Sequence, residues 1–253
     1  MLEKMYGWLQ CQRRQISMNH YCKAGLSIAF ATISLFAFSV HASDVSTKRA
    51  NCNGAKYRYL LFIPASEKPL PAILLLHGAG DTPEPMVDAW KKLAKKERIA
   101  LIAPDLPRDA RFEPVAPAVF HCIVEDAKHI AQIDPARLYV FGNSMGGYLA
   151  YDAAMFGSQY FAAAAIHAMM ISPEYDGIVD KAARKIPVAI YIGDEDQLVP
   201  VAGVRRTRDL LLKGKFLVHY VELKKHDHNY YAISDKINSD AWDFLRAAQL
   251  PQN

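Results

Sequence analysis

Hydrophobic residues in this chain gather in short continuous runs, and the segments between the runs are amphipathic. The runs are apolar throughout rather than alternating with polar residues, a pattern typical of strands that are buried on both faces of a parallel sheet. AILLLH at residues 72–77 is the clearest example. The runs predict strands at Tyr57–Ile63, Ala72–His77, Ile99–Asp105, Arg137–Gly142, Phe161–Met169, Pro187–Gly193 and Phe216–Leu223.

The segments between these strands carry their apolar residues at helical spacing. Ile233, Ile237, Ala241 and Leu245 form such a stripe near the C-terminus. Because strands alternate with helices, we expect an α/β fold: a mostly parallel sheet with helices on both faces, in a single domain over residues 43–253. Helices are predicted at Pro85–Lys96, Pro117–Ile130, from Ser144 onward, at Val201–Lys213 and from about Tyr230.

The N-terminal segment has the pattern of a secretory signal peptide. Ala24–Val40 is an uncharged apolar run that follows Lys23 and precedes the small residues of HAS. We expect residues 1–42 to be removed by cleavage after Ala42, which predicts a secreted or periplasmic protein with no membrane attachment. Met18 begins a segment that would be a complete signal peptide alone, so Met18 is an alternative start.

The charge pattern and the cysteine content bear on which partners and which redox environment the sequence indicates. The net charge of +4 over 253 residues comes from scattered Lys and Arg. No basic stripe is present, which argues against nucleic acid as a partner. Only Cys52 and Cys122 would remain after cleavage. In an oxidising compartment they could form a disulfide, and the alternative is two separate buried thiols; the sequence leaves both open.

FGNSMGG, at residues 141–147, is the strongest chemical motif. It follows a predicted strand, opens a predicted helix and contains G-x-S-x-G as Gly142, Ser144 and Gly146. A nucleophile on such a sharp strand-to-helix turn has strained backbone, and larger side chains two residues away would collide. The motif predicts that Ser144 is a nucleophile, with a glycine-rich turn and an incidental serine as the alternative.

A serine nucleophile needs a base and an orienting carboxylate. Three acids, Asp194, Glu195 and Asp196, follow the next-to-last predicted strand, and two histidines, His226 and His228, follow the last one. The order Ser, acid, His, each after a strand, is that of an α/β-hydrolase. Two histidines one residue apart could also open a metal site, but the sequence offers no further ligands nearby, so we expect no metal.

The developing oxyanion needs two backbone N–H donors. Met145, directly after the nucleophile, is one candidate. The loop in LLLHGAGD, after an early strand, should supply the other, and we expect Ala79 there, between Gly78 and Gly80. His77 ends the strand before this loop and is expected to be a structural residue.

Three stretches resemble a known family: RYLLFIPAS…PAILLLHGAG, IDPARLYVFGNSMGGYLA and YIGDEDQLVP. They look like secreted α/β-hydrolases of the group that holds poly(3-hydroxybutyrate) depolymerase-like, feruloyl-esterase-like and dienelactone-hydrolase-like enzymes. The resemblance implies the α/β-hydrolase fold, carboxylic ester hydrolysis, no cofactor and Ser144 as nucleophile. The family acid lies in G-x-x-D-x-x-V-P, which selects Asp196. The family's H-x-W context and a possible helix cap at Asn229 favour His228 over His226 as the base.

Two departures from the family leave the substrate open. The loop has Ala79-Gly80 where many members have Cys-Gln, and KKHDHNYY replaces a glycine-rich stretch around the histidine. Short connections predict little or no lid, with Leu106–Pro117 as the longest candidate. Further residues at strand ends are candidates for substrate binding: Gly80, Asp105, His167, His226 and Tyr230.

The resulting hypothesis is a serine-dependent carboxylic ester hydrolase that acts through an acyl-enzyme on a small or exposed ester. Ser144, Asp196 and His228 would form the triad, and Ala79 and Met145 the oxyanion hole. The alternatives are a peptidase or thioesterase with the same triad, and a non-catalytic binding protein on a hydrolase fold.

Overall fold

A computed structural model describes residues 44–106 and 117–251. These ranges contain eight strands: β1 (Ser46–Cys52), β2 (Ala55–Phe62), β3 (Leu70–Leu76), β4 (Ala100–Pro104), β5 (Ile133–Asn143), β6 (Ala163–His167), β7 (Val188–Gly193) and β8 (Val218–Leu223). The α-helices are α1 (Pro83–Glu97), α2 (Pro117–Ile130), α3 (Met145–Phe156), α4 (Val201–Lys213) and α5 (Ser234–Leu245). Two short 3-10 helices lie at Pro173–Lys181 and Tyr230–Ile233.

The strands form one sheet in the order β1-β2-β4-β3-β5-β6-β7-β8. β2 runs antiparallel to both of its neighbours, and all pairs from β4 to β8 are parallel. The predicted mostly parallel sheet is therefore confirmed. The carboxyl ends of β3, β5, β6, β7 and β8 meet at one edge, where the loops with the predicted chemistry emerge.

Helices cover both faces of this sheet, as predicted. On one face α1 and α5 pack together through buried residues such as Trp90 and Trp242. On the other face α2, α3 and α4 contribute Phe120, Leu149 and Val204 to the larger core cluster. The alternating strand residues divide between these two cores, which explains why the strands are apolar along their whole length.

The first strand was not predicted. β1 has the sequence STKRANC, and its outer positions are exposed at the sheet edge, so it lacks an apolar run. A two-residue turn at Asn53-Gly54 joins it to β2, and both residues have positive φ, 53° and 87°. Asn-Gly between two strands is a strong hairpin pattern, and it would have identified β1.

The chain after His228 differs from the prediction. Tyr230–Ile233 is a 3-10 helix, and α5 begins only at Ser234. Asn229 precedes the 3-10 helix, but its side chain makes no capping hydrogen bond. The Asn229 N–H instead donates to Oδ1 of Asp227 at 2.8 Å. Asn229 therefore stands at the predicted N-cap position, but its side chain does not cap the helix.

Cys52, at the end of β1, and Cys122, in α2, are joined by a disulfide bond. It ties the edge strand to a helix 70 residues away in sequence. Within 44–106 and 117–251, no helix is both long and apolar enough to span a membrane. The predicted signal peptide, and nearly all of the Leu106–Pro117 connection considered as a lid, lie outside the described residues.

Candidate active site

Ser144 occupies the turn between β5 and α3, in strained backbone. Its φ is 53°, a region that residues with a side chain rarely adopt. The neighbouring glycines leave no room for substitution: a Cβ on Gly142 would lie 2.1 Å from the Gly146 carbonyl oxygen. A Cβ on Gly146 would lie 2.0 Å from the Leu76 carbonyl oxygen. The G-x-S-x-G spacing therefore has the steric origin expected from the sequence.

Buried hydrogen bonds between β5 and β6 hold this turn. The Ser144 N–H donates to the His167 carbonyl oxygen at 2.9 Å. The side chains of His167 and Asn143 are joined by a 2.8 Å contact between Nδ1 and Oδ1. Burial lowers the pKa of His167 to about 3, so its ring is neutral and Nδ1 donates. His167 therefore supports the Ser144 turn twice, through its backbone and through its ring.

His228 bridges the serine and a carboxylate. Its Nε2 lies 2.9 Å from Ser144 Oγ, and its Nδ1 lies 2.8 Å from Asp196 Oδ2. The carboxylate partner assigns the proton to Nδ1, which leaves Nε2 free to accept the serine hydroxyl proton. This is the arrangement that a serine nucleophile and its general base require.

Asp196 is held in a fixed position after β7. Its side chain has no exposed surface, and Oδ1 accepts the N–H groups of Leu198 and Val199, both at 2.9 Å. The other two candidate acids lie elsewhere. Asp194 accepts the Lys225 N–H at 2.7 Å and pairs with Lys224, and the Glu195 N–H donates to the His226 carbonyl oxygen.

His226 is buried near His228, and among the described residues no hydrogen bond joins its side chain to Ser144. It is 5% exposed, and its burial lowers its pKa. Among the described residues its Nε2 has no hydrogen-bond partner. Its backbone passes so close to Gly193 that a Cβ there would lie 2.0 Å from the His226 carbonyl oxygen. Of the two histidines, only His228 is placed to act on Ser144.

The loop after β3 brings Ala79 beside Ser144. Ala79, Ser144 and Met145 border the same cavity. Met145 is the first residue of α3, so its N–H has no acceptor within the helix. His77 holds the base of the loop: its Nδ1 donates to Gly78 O at 2.9 Å, and its Nε2 accepts the Leu106 N–H at 3.0 Å. The ring has the structural role expected from the sequence.

A cavity of about 660 Å³ opens beside Ser144. Its wall is apolar and aromatic, and no charged side chain is among the described residues that line it. Tyr148 follows Ser144 by one helical turn, which sequence could have indicated, but the loop contributions required the folded chain. The lining residues besides Ala79, Ser144 and Met145 are Tyr148, Met169, Met170, Ser172, Tyr175, Leu198, Val199 and Pro200.

The residues expected to bind substrate lie elsewhere, because most strand-end side chains here point into the fold. His167 and Tyr230 are buried, and the Tyr230 hydroxyl donates to Asn238 Oδ1 at 2.5 Å. Asp105 pairs with Arg58 at 3.2 Å. Gly80 lies in an exposed turn with a φ of 71°. With His226 also in the core, none of the five lines the cavity beside Ser144.

Within the described part of the chain, no group of three or more His, Cys, Asp or Glu side chains is placed to hold a metal ion. The H-x-H pair illustrates the reason. His228 contacts Asp196 and Ser144, whereas His226 is buried and its Nε2 has no hydrogen-bond partner among the described residues.

Comparisons with known proteins agree with this architecture. Residues 73–249 match the family described as "Alpha/beta hydrolase family". No curated protein sequence matches the chain. Among solved structures, a thermostable esterase has a TM-score of 0.66 at 22% identity, covering 81% of this chain. The chain spans 63% of that esterase's length.

Two bacterial structures are matched over nearly their whole length. A fluorophosphonate-binding serine hydrolase of Staphylococcus aureus has a TM-score of 0.70 at 15% identity, with 81% of this chain and 98% of that chain covered. An S-formylglutathione hydrolase of Agrobacterium tumefaciens has a TM-score of 0.65 at 18% identity, with 82% and 95% covered. At these identities the likeness shows the fold, and the predicted fold class is confirmed.

Proposed function

The chain belongs to the alpha/beta hydrolase family, and we propose that it is a serine-dependent carboxylic ester hydrolase that works through an acyl-enzyme. The observation that carries the proposal is the position of His228, within hydrogen-bond distance of both Ser144 and Asp196. An esterase among the structures of the same fold agrees with it.

In the proposed mechanism, Ser144 Oγ attacks the ester carbonyl while His228 Nε2 takes its proton. Asp196 holds the ring orientation and stabilises the imidazolium that forms. The N–H groups of Met145 and Ala79 would bind the oxyanion, and each such donor is worth roughly a hundredfold or more in turnover. The alcohol leaves with the proton from His228. Water then attacks the acyl-enzyme by the same route and releases the acid.

The cavity supports an ester with an uncharged apolar group next to the carbonyl. Met169, Met170 and Tyr148 offer polarizable and aromatic surface, and a charged group against this wall would lose its hydration without gaining a partner. Methionines also adapt to ligands of different shape. A volume of about 660 Å³ accommodates a group of moderate size.

The test is turnover of p-nitrophenyl acetate by the wild type and by Ser144→Ala, with and without a serine-directed phosphonate or EDTA. We expect wild-type turnover that the phosphonate abolishes and EDTA leaves intact, and only trace turnover in the variant. Near-normal turnover in Ser144→Ala would overturn the proposal. Loss of turnover to EDTA would point to a metal, and no turnover or labelling at all would point to a binding protein.

The same triad could cleave thioesters or peptides, so the bond needs its own comparison. Matched acetyl esters, acetyl thioesters and acetyl-amino-acid anilides should be assayed together on the wild type. A kcat/KM highest for the ester supports the proposal. A preference for the thioester or the anilide would replace it with a thioesterase or a peptidase.

We further propose that the protein acts outside the cytoplasm, after residues 1–42 have been removed. The apolar run at Ala24–Val40 and the small residues before Ser43 support this, and so does a disulfide between the cysteines that would remain. N-terminal sequencing of protein recovered from the periplasm or medium should begin at Ser43. An intact N-terminus on cytoplasmic protein would contradict the proposal.

A further inference from the structure

A second cavity of about 490 Å³ lies next to the first one. Tyr148 and Tyr175 border both cavities, and their rings meet edge to face with centroids 6.4 Å apart. The tyrosine pair therefore forms the boundary between the two spaces. Tyr175 is 52% exposed on its 3-10 helix, so its ring has room to move aside. An extended ligand could pass across this pair from one cavity to the other.

Asp152 lines the second cavity and is only 6% exposed. Among the described residues it has neither a hydrogen-bond nor a salt-bridge partner, and burial alone raises its pKa to about 6. Its charge also helps to raise the pKa of Tyr148, which places the carboxylate near the tyrosine boundary. A buried carboxylate without a partner destabilises the fold, so such a group in a cavity indicates a ligand.

One face of α3 connects the nucleophile to this carboxylate. Ser144, Tyr148 and Asp152 follow one another at intervals of four residues, so they lie in a row along the helix. The rise of about 1.5 Å per residue puts Asp152 roughly 12 Å along the helix from Ser144. The row runs from Ser144, past Tyr148 at the boundary between the two cavities, to the carboxylate of Asp152.

We infer that the second cavity is a substrate subsite, in which Asp152 binds a positively charged group at the far end of the ester's acyl chain. The inference rests on the proposed esterase function. The apolar first cavity would hold the chain next to the carbonyl, and the rings of Tyr148 and Tyr175 would contact the cation as it passes. An amine is the complementary group, because an ammonium supplies both the charge and the N–H donors that the carboxylate lacks. Glu174 and Lys181 also line this cavity, with opposite charges, and both are exposed, whereas Asp152 is buried.

The test compares two esters of equal length. p-Nitrophenyl ω-aminooctanoate and p-nitrophenyl nonanoate differ only in an ammonium that replaces the terminal methyl group. We expect the wild type to prefer the amino ester in kcat/KM and Asp152→Asn to lower this preference about tenfold or more. Asp180→Asn is the matched control, because Asp180 is an exposed carboxylate on the neighbouring 3-10 helix. It should keep the wild-type preference.

The preference separates a binding role from a structural one. A structural effect of Asp152→Asn would slow both esters alike, and that outcome would overturn the inference. Equal turnover of the two esters by the wild type would overturn it as well. Failure of the proposed function looks different, because neither ester would be hydrolysed and the phosphonate would not label Ser144.

A second measurement needs no variant. Octylammonium should inhibit wild-type turnover of p-nitrophenyl nonanoate competitively, and more strongly than octan-1-ol, which has the same chain length and no charge. Its advantage should disappear as the pH falls and Asp152 becomes protonated. Equal inhibition by the amine and the alcohol at neutral pH would overturn the inference.

Discussion

Asp196, which has no exposed side-chain surface, lies 2.8 Å from Nδ1 of His228. Its other oxygen accepts two backbone N–H groups, so the carboxylate is fixed by the turn after β7 and in turn fixes the imidazole. The orientation of the His228 ring is therefore set by the loop after β7, the strand that neighbours β8. The same contact determines which ring nitrogen faces Ser144.

Replacing this carboxylate by an amide should remove most of the activity without unfolding the protein. In Asp196→Asn the side-chain amide can hold the wrong tautomer of His228, and we expect kcat on p-nitrophenyl acetate to fall roughly a thousandfold or more. Asp194→Asn is the control, because the Asp194 carboxylate accepts the Lys225 N–H and pairs with Lys224 rather than with His228. Comparable losses in both variants would contradict the assignment of Asp196.

The two histidines should separate cleanly by function. His228→Ala removes the proposed general base, and we expect a loss of roughly three orders of magnitude or more in kcat with little change in folding. His226→Ala removes a buried ring, so it should lower the free energy of unfolding by about 1–3 kcal/mol and leave most of the turnover. Thermal unfolding and turnover, measured on both variants, check this. The opposite pattern would make His226 the base.

The steric limits at the turn around Ser144 predict that the effect of a Gly→Ala substitution on stability differs sharply from one glycine to another. In Gly142→Ala the new methyl group would overlap the Gly146 carbonyl oxygen, and we expect a loss of about 3 kcal/mol or more in stability together with loss of activity. Gly177→Ala is a matched control, since a Cβ at Gly177 meets no atom within 4 Å. It should be neutral or slightly stabilising in a denaturant titration. Equal stability of the two variants would refute the steric argument.

The disulfide predicts a redox-dependent stability. Cys52 and Cys122 enclose a long loop, so reduction should cost about 2–4 kcal/mol of unfolding free energy. The wild type should lose thermal stability on addition of a reductant, and Cys52→Ala/Cys122→Ala should not respond. Alkylation of both thiols in the native protein without prior reduction would show that they do not pair.

The buried carboxylate of Asp152 leads us to expect that the free energy of unfolding depends on pH. Burial raises its pKa in the folded protein from 3.8 to about 6, so the folded state binds more protons than the unfolded state between these values. Stability is then lost as the pH rises through this window, on the order of 2–3 kcal/mol by neutral pH. The free energy of unfolding of Asp152→Asn, relative to that of the wild type, should therefore increase between pH 4 and pH 7.

The groups that face Asp152 set the control for this measurement. Tyr148, Tyr175, Glu174 and Lys181 line the same cavity and remain in the variant. Asp180→Asn should show no such pH-dependent gain. A constant difference between Asp152→Asn and the wild type across this range would mean that Asp152 does not titrate there.

Local patterns in the sequence determined most of the strands and helices, and also the order in which the candidate catalytic residues follow one another along the chain. Continuous apolar runs marked seven of the eight strands within the described ranges, because a strand buried on both faces tolerates few polar side chains. The spacing of Gly142, Ser144 and Gly146 identified the strand-to-helix turn at Ser144, because the close approach of Gly142 to Gly146 lies within the motif itself. β1 was not predicted, because an edge strand does not need a continuous apolar run.

Only the tertiary structure decided which side chains meet. Ser144 and His228 are 84 residues apart, and whether His226 or His228 reaches the serine depends on how the turn after β8 is oriented. The lining of the first cavity comes from α3 and from three separate segments, and no local pattern relates them. In the sequence, nothing distinguishes Asp152 from a solvent-exposed aspartate on a helix. Its burial beside a cavity is a property of the packed fold, because packing alone determines which groups lose contact with water.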